Sequence, residues 1–175
     1  GRPQRMGDVY RRTKVAATPS VTSGTPNHRN FSLLGDPSMR LAMPRNQVAI
    51  TSITDTLGNP IDTIKAMATV RVTGIVKGPD GQQLTDFNGL AVPTIFDKKV
   101  DVATLVNDPS PQATPFHFKL RKNSIYRGRA TVSNGQFSFA FVVPRDIDYR
   151  VDSGRVSVYA ESMATNACGY TNDPL

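Results

Sequence analysis

Tyr126-Arg127-Gly128-Arg129-Ala130-Thr131-Val132-Ser133-Asn134-Gly135-Gln136-Phe137-Ser138-Phe139-Ala140-Phe141-Val142-Val143 is the stretch that decides the fold. Apolar and polar residues alternate through it on both sides of Asn134-Gly135. A period of two marks a strand that buries one face. Asn-Gly is the dipeptide that accepts the two positive φ angles of a type I′ turn. The stretch reads as a β-hairpin joined by Ser133-Asn134-Gly135-Gln136. Phe137, Phe139, Phe141 and Val143 should face a core, with Ser138, Ala140 and Val142 opposite.

The same period recurs on either side. Val48 to Ile53 and Ala68 to Val76 are strand candidates, the second with Ala68, Val70 and Val72 against Thr69, Arg71 and Thr73. Gly58-Asn59-Pro60 and Gly78-Pro79-Asp80-Gly81 supply turns between them. Leu90 to Phe96 is a further strand, and its Pro93 cannot donate to a ladder, so an edge or a bulge is expected there. Pro115 to Leu120 and Arg155 to Glu161 complete the set, the latter with Val156, Val158 and Ala160 on one side. Short strands with turn signals between them, and no helical periodicity after residue 45, argue for an immunoglobulin-like antiparallel β-sandwich. The Cys, Trp, Cys pattern of antibody domains is missing, so the expectation concerns architecture alone.

Before residue 46 the pattern differs. Met6, Val9, Tyr10, Thr13 and Ala16/Ala17 recur at helical spacing, which predicts an amphipathic helix over residues 4–17. A single helix of that length draws its stability from packing against something else. Thr18 to Asn30 is rich in Pro, Ser, Thr, Gly and Asn and reads as loop. Phe31-Ser32-Leu33-Leu34, stopped by Gly35-Asp36-Pro37 and followed by Met39 to Met43 and Pro44, reads as the last strand of a domain, its exit turn and a connector. The chain of 175 residues thus divides into residues 1–45, a short helix and strand remnant of another domain, and residues 46–175, one complete β module. No apolar run approaches the roughly 18 residues that a membrane span requires, and a chain opening on Gly1 with a basic, amphipathic start reads as carrying no export signal of its own.

The formal charge of +7 is concentrated at the start. Arg2, Arg5, Arg11, Arg12, Lys14, Arg29, Arg40 and Arg45 face only Asp8 and Asp36, whereas the module beyond is close to neutral. A neutral module with no basic groove interleaved by aromatics argues against nucleic acid as a partner.

Cys168, in Asn166-Ala167-Cys168-Gly169-Tyr170, would need a histidine beside it to act as a nucleophile, and only His28 and His117 exist. His117 alternates with Phe116 and Phe118 as a strand residue would, and His28 lies in the Pro-rich loop; both read as structural or solvated. One cysteine makes no internal disulfide, and no Cys/His cluster has zinc spacing. Asp97, Asp101 and Asp108, or Asn166, Asn172 and Asp173, offer oxygen ligands of the kind Ca²⁺ takes, yet neither set has the EF-hand spacing. Asp146, Asp148 and Asp152 read as turn residues bonding their own backbone. No catalytic, cofactor-binding or metal residue is therefore assigned, and no cofactor is expected.

The run Asn30 to Pro44 resembles the closing segment of gingipain-type cysteine peptidase domains. Leu84-Thr85-Asp86-Phe87-Asn88-Gly89 with Ile95-Phe96-Asp97-Lys98, Asn123 to Val143 with Pro144-Arg145-Asp146-Ile147, and Gly169-Tyr170-Thr171-Asn172-Asp173 extend the likeness. Taken in order, they resemble the type IX secretion system sortases of Bacteroidetes. That resemblance implies a parent that removes the C-terminal sorting domain of exported cargo and joins the cargo to lipopolysaccharide at the outer membrane of the cell surface. It implies an acyl-enzyme formed by a cysteine thiolate, with residues upstream of this chain. Cys168 does not match that nucleophile motif, so the chain itself is expected to be inactive, a C-terminal portion beyond the catalytic residues. The partners implied are an upstream peptidase domain, outer-membrane secretion components and cargo sorting domains. Two other readings remain open: an immunoglobulin-like binding module for a surface protein or glycan, and the same region of a secreted gingipain-like protease.

Overall fold

The structure, a computed structural model, describes residues 4–16, 31–107, 114–147 and 152–172. Two compact units divide at Met43/Pro44. In the first, helix α1 spans Met6–Ala16, with Asp8 in its first turn and Lys14 in its last, each sign suited to the helix dipole. Its opening N–H groups find acceptors outside the helix: Met6 N–H donates to Met39 O (2.8 Å) and Gly7 N–H to Pro37 O (2.9 Å). A Cβ on Gly7 would stand 2.9 Å from Pro37 Cβ, so this approach needs glycine. The Tyr10 hydroxyl donates to Phe31 O, and Asp36 closes the turn by accepting from Ser38 N–H and Oγ–H, both at 2.8 Å. Phe31 to Leu34 forms no strand, contrary to the expected last strand, because a ladder needs a neighbour and among the described residues the only pairing in this unit is the Arg5/Arg40 bridge. None of its described residues is buried; Phe31, Leu34, Met39 and Met43 are more than half exposed.

The second unit is all β. Its strands are β1 (Asn46–Thr54), β2 (Thr69–Lys77), β3 (Gly89–Phe96), β4 (Val100–Ala103), β5 (His117–Leu120), β6 (Ser124–Arg127), β7 (Ala130–Ser133), β8 (Gln136–Val142), β9 (Arg155–Ser162) and β10 (Asn166–Thr171). The ladders run β3-β7-β8-β2-β1-β10-β9 and return to β3, which closes a seven-strand barrel-like ring. The expected β-rich module is present, but the pairings trace one ring instead of two facing sheets, and β1 pairs with β10 in parallel instead of antiparallel. The segment Asn166 to Thr171, not among the strands expected from sequence, is a strand that zips onto β9 from Asn166/Glu161 to Thr171/Val156. Asn46 pins the parallel closure: buried, it donates through Nδ2 to Thr165 Oγ1 (3.0 Å) and Asn166 O (3.2 Å).

The hairpin at the centre of the sequence argument is β7–β8. Asn134 (φ 52°) and Gly135 (φ 72°) take the positive angles of the turn, and Val132 faces Phe137 across it. Phe137, Phe139, Phe141 and Val143 are buried; Ser138, Ala140 and Val142 are exposed. Inside the ring these phenylalanines meet Val70, Val72, Ile95, Val156 and Val158, all nearly inaccessible. Burying each such side chain contributes about 1.5–3 kcal/mol. Tyr126 stacks on Phe139 and Phe141 with ring centres 5.7 and 5.0 Å away, parallel to the first and inclined 27° to the second.

Pro93 is neither on an edge nor in a bulge. It is buried in β3, opposite Val158 of β9. In a strand, a residue's N–H and C=O point to the same side, and Pro93 O accepts from Gly128 N–H at 3.1 Å, so its missing donor faces Gly128. The pairs Ala91/Ala130 and Thr94/Arg127 share one register, so β6 and β7 are one run whose ladder is interrupted where proline stands. β4 and β5 form a separate two-stranded ribbon.

Candidate functional site

The residues that could carry chemistry are scattered. Cys168 lies on β10, exposed, opposite Tyr159 of β9 and Gln47 of β1. His117 is exposed on β5, in the other sheet, and His28 lies outside the described residues. Asp101 faces Lys119 across the ribbon, Asn166 donates to the Tyr159 hydroxyl (3.2 Å), and Asn172 accepts from Arg155 Nε (2.8 Å). Asp146 and Asp152 are exposed; Asp108, Asp148 and Asp173 fall outside the described residues. Among the described residues, no group of three or more His, Cys, Asp or Glu is placed to hold a metal ion.

One polar constellation is built by the fold. Where β3 leaves the ring, Asp97 is buried at 7% exposure; its N–H donates to Asn123 O (3.0 Å) and its carboxylate accepts from Lys98 N–H (2.8 Å) with Lys98 Nζ at 3.6 Å. Arg121 reaches across to Ser153 O and Gly154 O, each at 3.3 Å through Nη2. The recess beside them, lined by Ile64, Phe96, Asp97, Lys98, Ile125, Ile147 and Gly154, holds about 260 Å³ counting its open mouth. Because that figure includes open solvent, the enclosed space lies far below the roughly 300–1,000 Å³ of small-molecule sites. The arrangement acts as a staple, tying the chain before β6 to the chain before β9. Sequence spacing carried no signal for it, since Arg121 and Gly154 are distant along the chain.

Two exposed carboxylates are held below the ordinary 3.8. For Asp36 the cause is the Ser38 hydroxyl, then the Ser38 N–H. For Asp55 it is the Asn59 side chain, then the Asn59 N–H, in the turn after β1.

The chain resembles a part of PorU. The crystal structure of dimeric latent PorU from Porphyromonas gingivalis matches 97% of this chain with a TM-score of 0.64 and 27% identity, and the match spans 16% of that chain. The likeness to PorU is therefore one of structure, to a small part of a much longer protein. The crystal structure of Spo0M, a sporulation control protein from Bacillus subtilis, matches 74% of this chain and 48% of its own at a TM-score of 0.39 and 14% identity, too little to bear on fold or function. No protein-family model and no curated protein matches the sequence.

Proposed function

We propose that this chain is the non-catalytic C-terminal portion of a cell-surface cysteine peptidase of the type IX secretion sortase kind. Its parent would remove C-terminal sorting domains from secreted cargo and attach the cargo to lipopolysaccharide at the outer membrane. The observation that carries this reading is the PorU likeness over nearly the whole chain. Unit 1 supports it: a helix and connector with apolar side chains outside and, among the described residues, none buried call for a covering body, here the peptidase domain. The β unit is then the companion module of that domain, and outer-membrane secretion components and cargo sorting domains are the partners proposed for the parent. Catalysis in this reading belongs to residues outside the chain, and Cys168 has no part in it. The test is to delete residues 46–175 from the parent gene and follow cargo by immunoblot. Cargo should accumulate with its sorting domain still attached; normal trimming and surface attachment would sink the reading. The purified chain should leave sorting-domain peptides intact, and cleavage abolished by Cys168→Ala would overturn its assignment as non-catalytic.

A further inference from the structure

The near-neutral second unit is segregated in charge. β2, β3, β6, β7 and β8, which adjoin one another in the wall, contain no Asp or Glu. Their cations are Arg71, Lys77 and Arg127, with Arg129 in the link between β6 and β7. Arg71, Arg127 and Arg129 are exposed, and none makes an ion pair or side-chain hydrogen bond among the described residues.

Topology places these three on the strands and link that flank β8. Arg71 stands opposite Ala140 across the β2–β8 ladder. Arg127 and Arg129 lie on the β6–β7 run, the neighbour of β8 on its other side, where Tyr126 packs on Phe139 and Phe141. Val142 is 56% exposed there.

A seam opens at the same place. β8 pairs with β2 from Gln136 to Val142, but with β7 only at Gln136 and Phe137. Because Val76 N–H donates to Gly135 O (2.7 Å), alternation turns the backbone groups of Phe137, Phe139 and Phe141 toward β2. Those of Ser138, Ala140 and Val142 point the other way. At Ala140 and Val142 that side has no ladder partner among the described residues. The inner side of the seam is apolar, formed by Tyr126 stacked on Phe139 and Phe141.

We propose that this seam receives an extended acidic peptide by strand addition along β8. Main-chain bonds to Ala140 and Val142 supply the register, as in other strand-addition complexes. Alternate side chains of the added strand point outward, where carboxylates meet the guanidinium forks of Arg71, Arg127 and Arg129. Those between point inward, where an apolar residue covers the Tyr126 ring. The ligand is thus a segment alternating acidic and apolar residues. A polyanion without apolar side chains uses only half of the seam. This inference is independent of the proposed parent enzyme.

The test uses the whole chain and a fluorescein-labelled peptide of about ten residues, the length of a long strand, alternating Glu and Val. Anisotropy at low salt should report saturable binding. The double variant Arg71→Glu/Arg129→Glu should bind about ten-fold or more weakly with an unchanged circular dichroism spectrum, both residues being exposed. A peptide N-methylated at alternate residues should not bind, and one alternating Lys and Val should not bind. The proposal is overturned if the N-methylated peptide binds as tightly, if charge reversal leaves binding intact, or if heparin binds where the Glu-Val peptide does not. The last outcome would assign the wall to an anionic polysaccharide.

Discussion

Gly169 shows how one residue can hold a ring shut. A Cβ there would stand 1.9 Å from Val48 O, where β10 passes β1, and the obstacle is backbone that no rotamer can move aside. Gly169→Ala should lower stability by about 2 kcal/mol or more, read as a fall in the urea midpoint; an unchanged midpoint would mean that β1 and β10 part freely. Asp55 works at a smaller scale. It accepts from Leu57 N–H (2.8 Å), Asn59 N–H (2.9 Å) and Asn59 Nδ2 (3.1 Å), and these bonds favour the charged carboxylate. Its folded value lies below 3.8, so the turn is fully supported above that pH and loses support as pH falls below it. A chemical-shift titration of the Asn59 side-chain amide should give a midpoint under 3.8; one at or above it would show that the bonds do not form in solution.

Among the elements, the β4–β5 ribbon is the weakest. Among the described residues it pairs only with itself, and Phe116, at 68% exposure, stacks on Phe118 with ring centres 6.2 Å apart. Two strands alone are marginal in water, so amides at Val102 and Phe118 should exchange well before those of Val72 and Phe139 in hydrogen-exchange measurements. Equal protection would require cover for the ribbon's apolar face. The contrast between elements also explains what could be read in advance. β7–β8 was legible because turn chemistry and alternation agreed within eighteen consecutive residues. β10 was not, because Asn166 and Gly169 are turn formers by composition, while the reason for Gly169 is the Val48 carbonyl on a strand more than a hundred residues earlier. Pro93 misled for a related reason: a proline is tolerable inside a sheet if its blank side falls where the facing ladder can break, and only the pairing reveals that Gly128 stands there. The cluster of arginines was hidden by arithmetic, since a net charge near zero says nothing about the faces on which opposite signs reside.

At the scale of the whole molecule, the two units differ in what holds them. The second has a core of valines and phenylalanines; the described residues of the first make contacts but include no buried one. Residues 44–175 alone should therefore melt within a few degrees of the full chain, whereas residues 1–43 alone should show little helix by circular dichroism. A peptide 1–43 with the full helical signal would remove the argument that unit 1 needs a covering body. The parallel pairing of β1 with β10 carries a mechanical consequence. Both strands start at the same end of the barrel, so chain entering at Asn46 and leaving past Thr171 does so at opposite ends. Tension applied through those two points pulls β1 and β10 past each other along their length, with the hydrogen bonds between them crossing the load. Bonds loaded in shear yield together and not one by one, so the unit would bear force as a stiff link between whatever it joins.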